Sequence, residues 1–165
     1  MRFVRTTSVL LVSLALLACA GSSKVRKPAD LVNLTNQVDL VEVWSASVGG
    51  SVPANFRPVV ADSHVFAASM RGTLSKLNIQ TGRVVWEVSV PEKLSIGPGS
   101  DGKTTVVISS EGNVFAYDEA GKNIWKSSIG SEVLSDPIVA SGIVVIRTLD
   151  NRFIGLDAAT GKRRW

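Results

Sequence analysis

"GRVVW" at Gly82–Trp86, "GKNIW" at Gly121–Trp125 and "GKRRW" at Gly161–Trp165 are three copies of one motif. Each reads Gly, a basic residue, two variable positions, then Trp. A degenerate copy without the glycine, "LVEVW", ends at Trp44. Trp44, Trp86, Trp125 and Trp165 are all the tryptophans in the chain, spaced 42, 39 and 40 residues apart. A period near 40 built from short strands signals a propeller or a related array, in which each unit buries its apolar surface only against its neighbours.

The repeat extends upstream of each Trp. The three units read "HVFAASMRGTLSKLNIQTGRVVW", "TVVISSEGNVFAYDEAGKNIW" and "IVVIRTLDNRFIGLDAATGKRRW". Each has an apolar run, a short turn, a second run, then Asn or Asp, a turn with Gly, and Trp. The runs are short, rich in Val, Ile and Phe, and bounded by Gly, Asn and Asp, which is strand chemistry. No segment after residue 43 shows helical periodicity. Asn78, Asp118 and Asp157 are placed to accept backbone N–H groups two residues on. Gly82, Gly121 and Gly161 supply the positive φ of a tight reversal. Val106, Val107 and Ile108, and Ile143 through Ile146, are apolar at successive positions, so these strands are expected to be buried on both faces.

The expected fold is all-β, a β-propeller of four-stranded antiparallel blades. In the first unit the strands fall at 58–61, 64–69, 73–78 and 84–90. The Trp lies in the outermost strand and packs between blades. Three units are visible, and closed propellers use about four to eight blades. The reading is therefore that residues 43–165 are the N-terminal part of a longer propeller. The strand around Trp44 is expected to complete a final blade.

The front of the chain is a different kind of sequence. Arg2 and Arg5 precede a nine-residue apolar stretch, Val9 to Leu17, too short to span a bilayer as a helix. "LLAC", Leu16–Cys19, has the form of a lipobox, which makes residues 1–18 a signal peptide and Cys19 the lipidated first residue. Two or three acyl chains, at about 0.8 kcal/mol per buried CH₂, anchor stably where one does not. Residues 19–42 then form a tether, polar through "GSSKVRKPAD". Arg2 and Arg5 account for two of the 18 basic residues, so the processed chain carries 16 against 14 acidic ones, a net charge near +2. That balance gives no support to nucleic-acid binding. Lys24, Arg26 and Lys27 form a solvated cluster beside the anchor.

Catalytic patterns are lacking. His64 is the only histidine, so no His-based triad or multi-His metal site can form within the chain. It begins an apolar run and reads as strand-edge packing. Asp118 and Asp157 recur with the repeat and read as turn acceptors. "GPGSDG", Gly97–Gly102, lies between expected strands and reads as a loop. Arg163 and Arg164 read as exposed flanks of Trp165.

The Asp-x-x-Thr-Gly-Lys-x-x-Trp pattern at Asp157–Trp165 resembles the repeat of quinoprotein-type, PQQ-like propellers. Together with the lipobox, the tether, "VWSASVG" and the long stretch from Glu132 to Trp165, it resembles the BamB family. These are the lipoprotein subunits of the machine that assembles β-barrels in Gram-negative outer membranes. The resemblance implies eight blades, no enzymatic activity, no cofactor and no metal. It also implies a lipid anchor at Cys19 on the periplasmic face of the outer membrane. The implied partners are the periplasmic POTRA domains of BamA, the other Bam subunits and nascent outer-membrane proteins. It assigns the recurring Gly82, Trp86, Asp118, Gly121, Trp125, Asp157, Gly161 and Trp165 to the structural repeat, and places no BamA-contacting residue before Trp165. Two rivals share the Trp motif: a PQQ-dependent dehydrogenase, and a propeller lipoprotein with another envelope partner.

Overall fold

The computed structural model describes residues 27–30, 39–50, 53, 55–133 and 135–165. The chain divides into two units, Met1–Leu40 and Val41–Trp165. In the first, the described residues 27–30 and 39–40 are exposed and in no regular element. The signal and Cys19 lie outside the described residues.

The second unit is built of antiparallel sheets. Strands β1 (Val59–Ala61), β2 (His64–Ala68), β3 (Thr73–Asn78) and β4 (Val84–Ser89) pair in chain order. So do β5 (Gly99–Ser100), β6 (Thr105–Ile108), β7 (Asn113–Tyr117) and β8 (Asn123–Ser128). A third sheet holds β9 (Ile138–Ala140), β10 (Ile143–Arg147) and β11 (Phe153–Asp157). Residues after Gly161 begin a fourth line in that sheet, since the Gly155 N–H donates to the Trp165 carbonyl and Leu156 bridges Arg163. The strands of the first sheet fall within one residue of the bounds read from sequence. The first strand of each sheet lies beside its counterpart in the next: β5 abuts both β1 and β9. That is how propeller blades meet around an axis.

Turn chemistry fixes the register. The β1–β2 and β9–β10 reversals are two-residue turns with positive φ at both positions, +45° and +61° at Asp62 and Ser63, +51° and +74° at Ser141 and Gly142. Such turns carry the twist that hairpin strands need. The β2–β3, β6–β7 and β10–β11 reversals share a second device. Ser69, Ser109 and Thr148 are buried, and each accepts a backbone N–H from the far side of its own turn through its hydroxyl. The positive-φ residue that closes each turn is Gly72, Gly112 or Asn151.

Two apolar layers lie between the sheets. Ala68 and Leu74 of the first sheet meet Val107, Phe115 and Tyr117 of the second. On its other side, the second sheet offers Val106, Ile108, Val114 and Ala116 to Val139, Val144, Ile146, Ile154 and Leu156 of the third. Sandwiched in this way, Val106, Val107 and Ile108 have no exposed surface. The same expectation fails for β10: Val144 and Ile146 are buried, while Ile143 and Val145 are half-buried. Side chains alternate across a strand, and among the described residues no further sheet covers that second face.

The glycine-rich stretch also departs from the sequence reading. Gly99 and Ser100 form β5 instead of a loop. A β-carbon on Gly99 would collide with the Pro137 carbonyl, so only glycine lets the innermost strands approach. Glycine weakens the strand signal in sequence, and close approach is the reason it is there.

Candidate functional site

Each of the first three tryptophans reaches forward into the next unit. Trp44 Nε1–H donates to the Ile79 carbonyl at 2.8 Å, Trp86 Nε1–H to Glu119 at 2.9 Å, and Trp125 Nε1–H to Ala158 at 2.8 Å. Ile79, Glu119 and Ala158 each follow the Asn or Asp of the turn. In each case the ring lies on that turn's glycine. β-Carbons added at Gly82, Gly121 and Gly161 would stand 2.5, 2.9 and 2.5 Å from the rings of Trp44, Trp86 and Trp125. The unit of contact is therefore the Trp of one repeat on the Asx–Gly turn of the next.

The turn is preorganised for this. Asn78 Oδ1 accepts from the N–H groups of Gln80 and Thr81, Asp118 Oδ1 from Ala120 and Lys122, and Asp157 Oδ1 from Ala159 and Thr160. The N–H of each turn glycine donates back to the carbonyl of the Asn or Asp, and φ at Gly82, Gly121 and Gly161 is +67°, +79° and +69°. With its N–H groups turned inward, the turn presents the carbonyl that follows the Asn or Asp to the incoming indole. A buried indole N–H needs such a partner. Trp125 is 8% exposed, whereas Trp165 is 52% exposed and rests on Gly155 of its own sheet.

Arg163 and Arg164 differ in role. Both side chains are exposed, but the Arg164 guanidinium pairs with Asp157 Oδ2 at 2.5 Å. Arg164, seconded by Thr160, holds the Asp157 carboxyl at about 2. His64 begins β2 with Nδ1 2.7 Å from the Asp62 carbonyl, a local turn contact. Among the described residues, no group of three His, Cys, Asp or Glu side chains is arranged to hold a metal.

A polar contact absent from the sequence reading joins the first two sheets. Glu92, in the connection after β4, accepts from Lys126 Nζ at 2.8 Å and from Asn113 Nδ2 at 2.9 and 3.2 Å. Lys126 also lies 5.0 Å from the Phe115 ring centre. The Lys126 ammonium, with Ser109 and Asn113, lowers the Glu92 carboxyl from 4.5 to about 2. A carboxyl depressed by folding contributes stability above its unfolded pKa and loses it as pH falls through the folded value. Stability should therefore decline between about pH 4.5 and pH 2. Urea midpoints measured across that range should fall less steeply in Glu92→Gln; an unchanged slope would show that the pair contributes nothing.

Two segments of the chain, residues 32–98 and 71–165, match the family model described as outer membrane protein assembly factor BamB. The chain belongs to the BamB family. The BamB proteins of Burkholderia pseudomallei and Bordetella pertussis are similar to it, 36% identical over 149 residues and 37% over 139. Those matches cover 90% and 84% of this chain but 39% and 36% of the relatives. The BamB of Nitrosomonas eutropha is 39% identical over 83% of this chain and 34% of its own. The chain thus spans less than half the length of these curated relatives. Among solved structures, BamB from Moraxella catarrhalis superposes with a TM-score of 0.60 at 21% identity, over 67% of this chain and 34% of that one. A europium-containing methanol dehydrogenase gives 0.61 at 18% identity, over 74% and 26%. At such identities the two structures establish the shared propeller fold alone, which a family factor and an enzyme carry equally.

Proposed function

We propose that this chain is propeller sequence of a non-enzymatic outer-membrane assembly factor, tethered by lipid at Cys19 to the periplasmic face of the outer membrane. It binds the POTRA region of BamA and aids insertion of β-barrel proteins. Residues 1–18 are the signal, 19–42 the anchor and tether, and 43–165 the propeller portion. The carrying observation is the family match from residue 32 to residue 165, found beside a lipobox in one chain. The recurrent Trp–turn contact supports a scaffold, because it turns the repeat's most distinctive side chains inward to hold sheets together. With those rings engaged, partner contacts fall to the loops.

The test combines anchor and partner. Wild-type protein should take up acyl label, fractionate with outer membranes and co-purify with BamA after mild solubilisation. Cys19→Ser should lose the label and move to the soluble fraction. Label retained on the Ser variant would refute the anchor. Acylated wild-type protein that never co-purifies with BamA would refute the partner.

A further inference from the structure

The three junctions between a Trp and the next turn are not equally closed. At Trp125 the indole N–H and its acceptor, the Ala158 carbonyl, are buried. That turn is tied by three bonds to Asp157 Oδ1, from the Ala159 and Thr160 N–H groups and the Thr160 hydroxyl, and by the Arg164 guanidinium on Oδ2. The turn that Trp44 meets has the same three bonds on Asn78 Oδ1. The Trp86 junction is built more sparely. Its turn, Asp118–Gly121, is one residue shorter and has no threonine, so Asp118 Oδ1 accepts from backbone N–H groups alone. The Trp86 ring is half-buried, and its acceptor residue Glu119 is exposed. A second donor competes for that acceptor, since Lys76 Nζ lies 3.4 Å from the same carbonyl oxygen. Lys76 stands opposite Trp86 in the strand ladder. In the second sheet Ala116 stands opposite Trp125 and brings no competitor.

The far end of the same interface is clamped. β7 runs from Asn113 to Tyr117, and Phe115 and Tyr117 both join the apolar layer against the first sheet. At the start of β7, Glu92 accepts from Asn113 and Lys126, and Lys126 lies over the Phe115 ring. At its end, Tyr117 leads directly into the Asp118 turn. One interface therefore has an ion pair at one end and an exposed, shared carbonyl at the other. Solvent-exposed bonds with few neighbours open locally, at a free energy below that of global unfolding.

We infer that the first and second sheets part locally at the Asp118 turn, with Trp86 lifting off Gly121 while the Glu92–Lys126 end stays closed. This hinged opening uncovers Tyr117 and leaves Phe115 covered. On the opposite face of β7, Ala116 stays covered, because Trp125 holds the second and third sheets together. The opening is a property of these contacts and is independent of any binding to BamA.

Thiol labelling reads the opening. The chain has a single Cys, so Cys19→Ser leaves no thiol, and Tyr117→Cys, Phe115→Cys or Ala116→Cys is then introduced one at a time. All three positions are buried. Reaction with a maleimide under native conditions is followed by mass spectrometry. Tyr117→Cys and Phe115→Cys each lose an aromatic ring, so they form the central comparison. Tyr117→Cys should label about 10-fold faster or more than either Phe115→Cys or Ala116→Cys, because only its position is uncovered without global unfolding. Low concentrations of urea should speed labelling at Phe115→Cys steeply and at Tyr117→Cys only slightly, since a local opening exposes little surface. Glu92→Gln should speed Phe115→Cys and leave Tyr117→Cys unchanged, because the Glu92 contacts persist in the hinged state. Equal labelling of Tyr117→Cys and Phe115→Cys would overturn the proposal. So would a Tyr117→Cys rate that climbs with urea, or on Glu92→Gln, as steeply as that of Phe115→Cys, for both mark global unfolding.

Discussion

Trp125→Ala should lower the unfolding free energy by about 3–5 kcal/mol, the range for large-to-small changes at buried aromatics. Three losses coincide at this position. The ring is 8% exposed within the apolar layer between the second and third sheets. Its N–H satisfies the Ala158 carbonyl. Its face fills the space above Gly161, which has no side chain to collapse into the gap. Equilibrium unfolding in urea measures the effect, and a midpoint unchanged from wild type would mean that the ring does not join the sheets. Trp165→Ala is the natural control. At 52% exposed and resting on its own sheet, it should cost much less.

Gly161→Ala adds one methyl group and should cost about 2–5 kcal/mol. At φ +69° an L side chain is strained by roughly 1–2 kcal/mol. The new carbon would also stand 2.5 Å from the Trp125 ring, and overpacking of that kind costs about 1–3 kcal/mol. Gly142→Ala separates the two causes. Its φ is similar, +74°, but nothing lies within 4 Å of the added carbon. It should show the strain alone, and equal losses at Gly142 and Gly161 would remove the Trp125 ring from the account.

Much of this geometry is legible in sequence because it is local. The Asn or Asp, the turn glycine and the apolar runs each act within a few residues, so the spacing of Asn78, Asp118 and Asp157 from their glycines discloses the turns directly. Long-range partnership is not legible. Nothing in "GKNIW" says that Trp125 packs on Gly161 and not on Gly121 of its own motif, because the pairing is made by sheet stacking. The β5 strand was hidden for a related reason: Gly99 is chosen for closeness to Pro137, at the expense of strand propensity. The hydroxyl turns at Ser69, Ser109 and Thr148 were readable, since Ser or Thr stands three residues before Gly or Asn in every unit. The larger Trp signal obscured them. The Glu92–Lys126 pair depends on residues 34 apart in the chain, and no periodicity announces it.

The contact between one repeat's Trp and the next repeat's turn is tested most directly by a double-mutant cycle at Trp125 and Gly161, read as unfolding free energies in urea. With alanine already at position 125 there is no ring to strike, so Gly161→Ala should then cost only the backbone strain, about 1–2 kcal/mol. The two changes should fall short of additivity by about 1–3 kcal/mol, the range for residues in direct contact. Additivity within about 0.5 kcal/mol, the behaviour of distant sites, would contradict the contact and the stacking built on it.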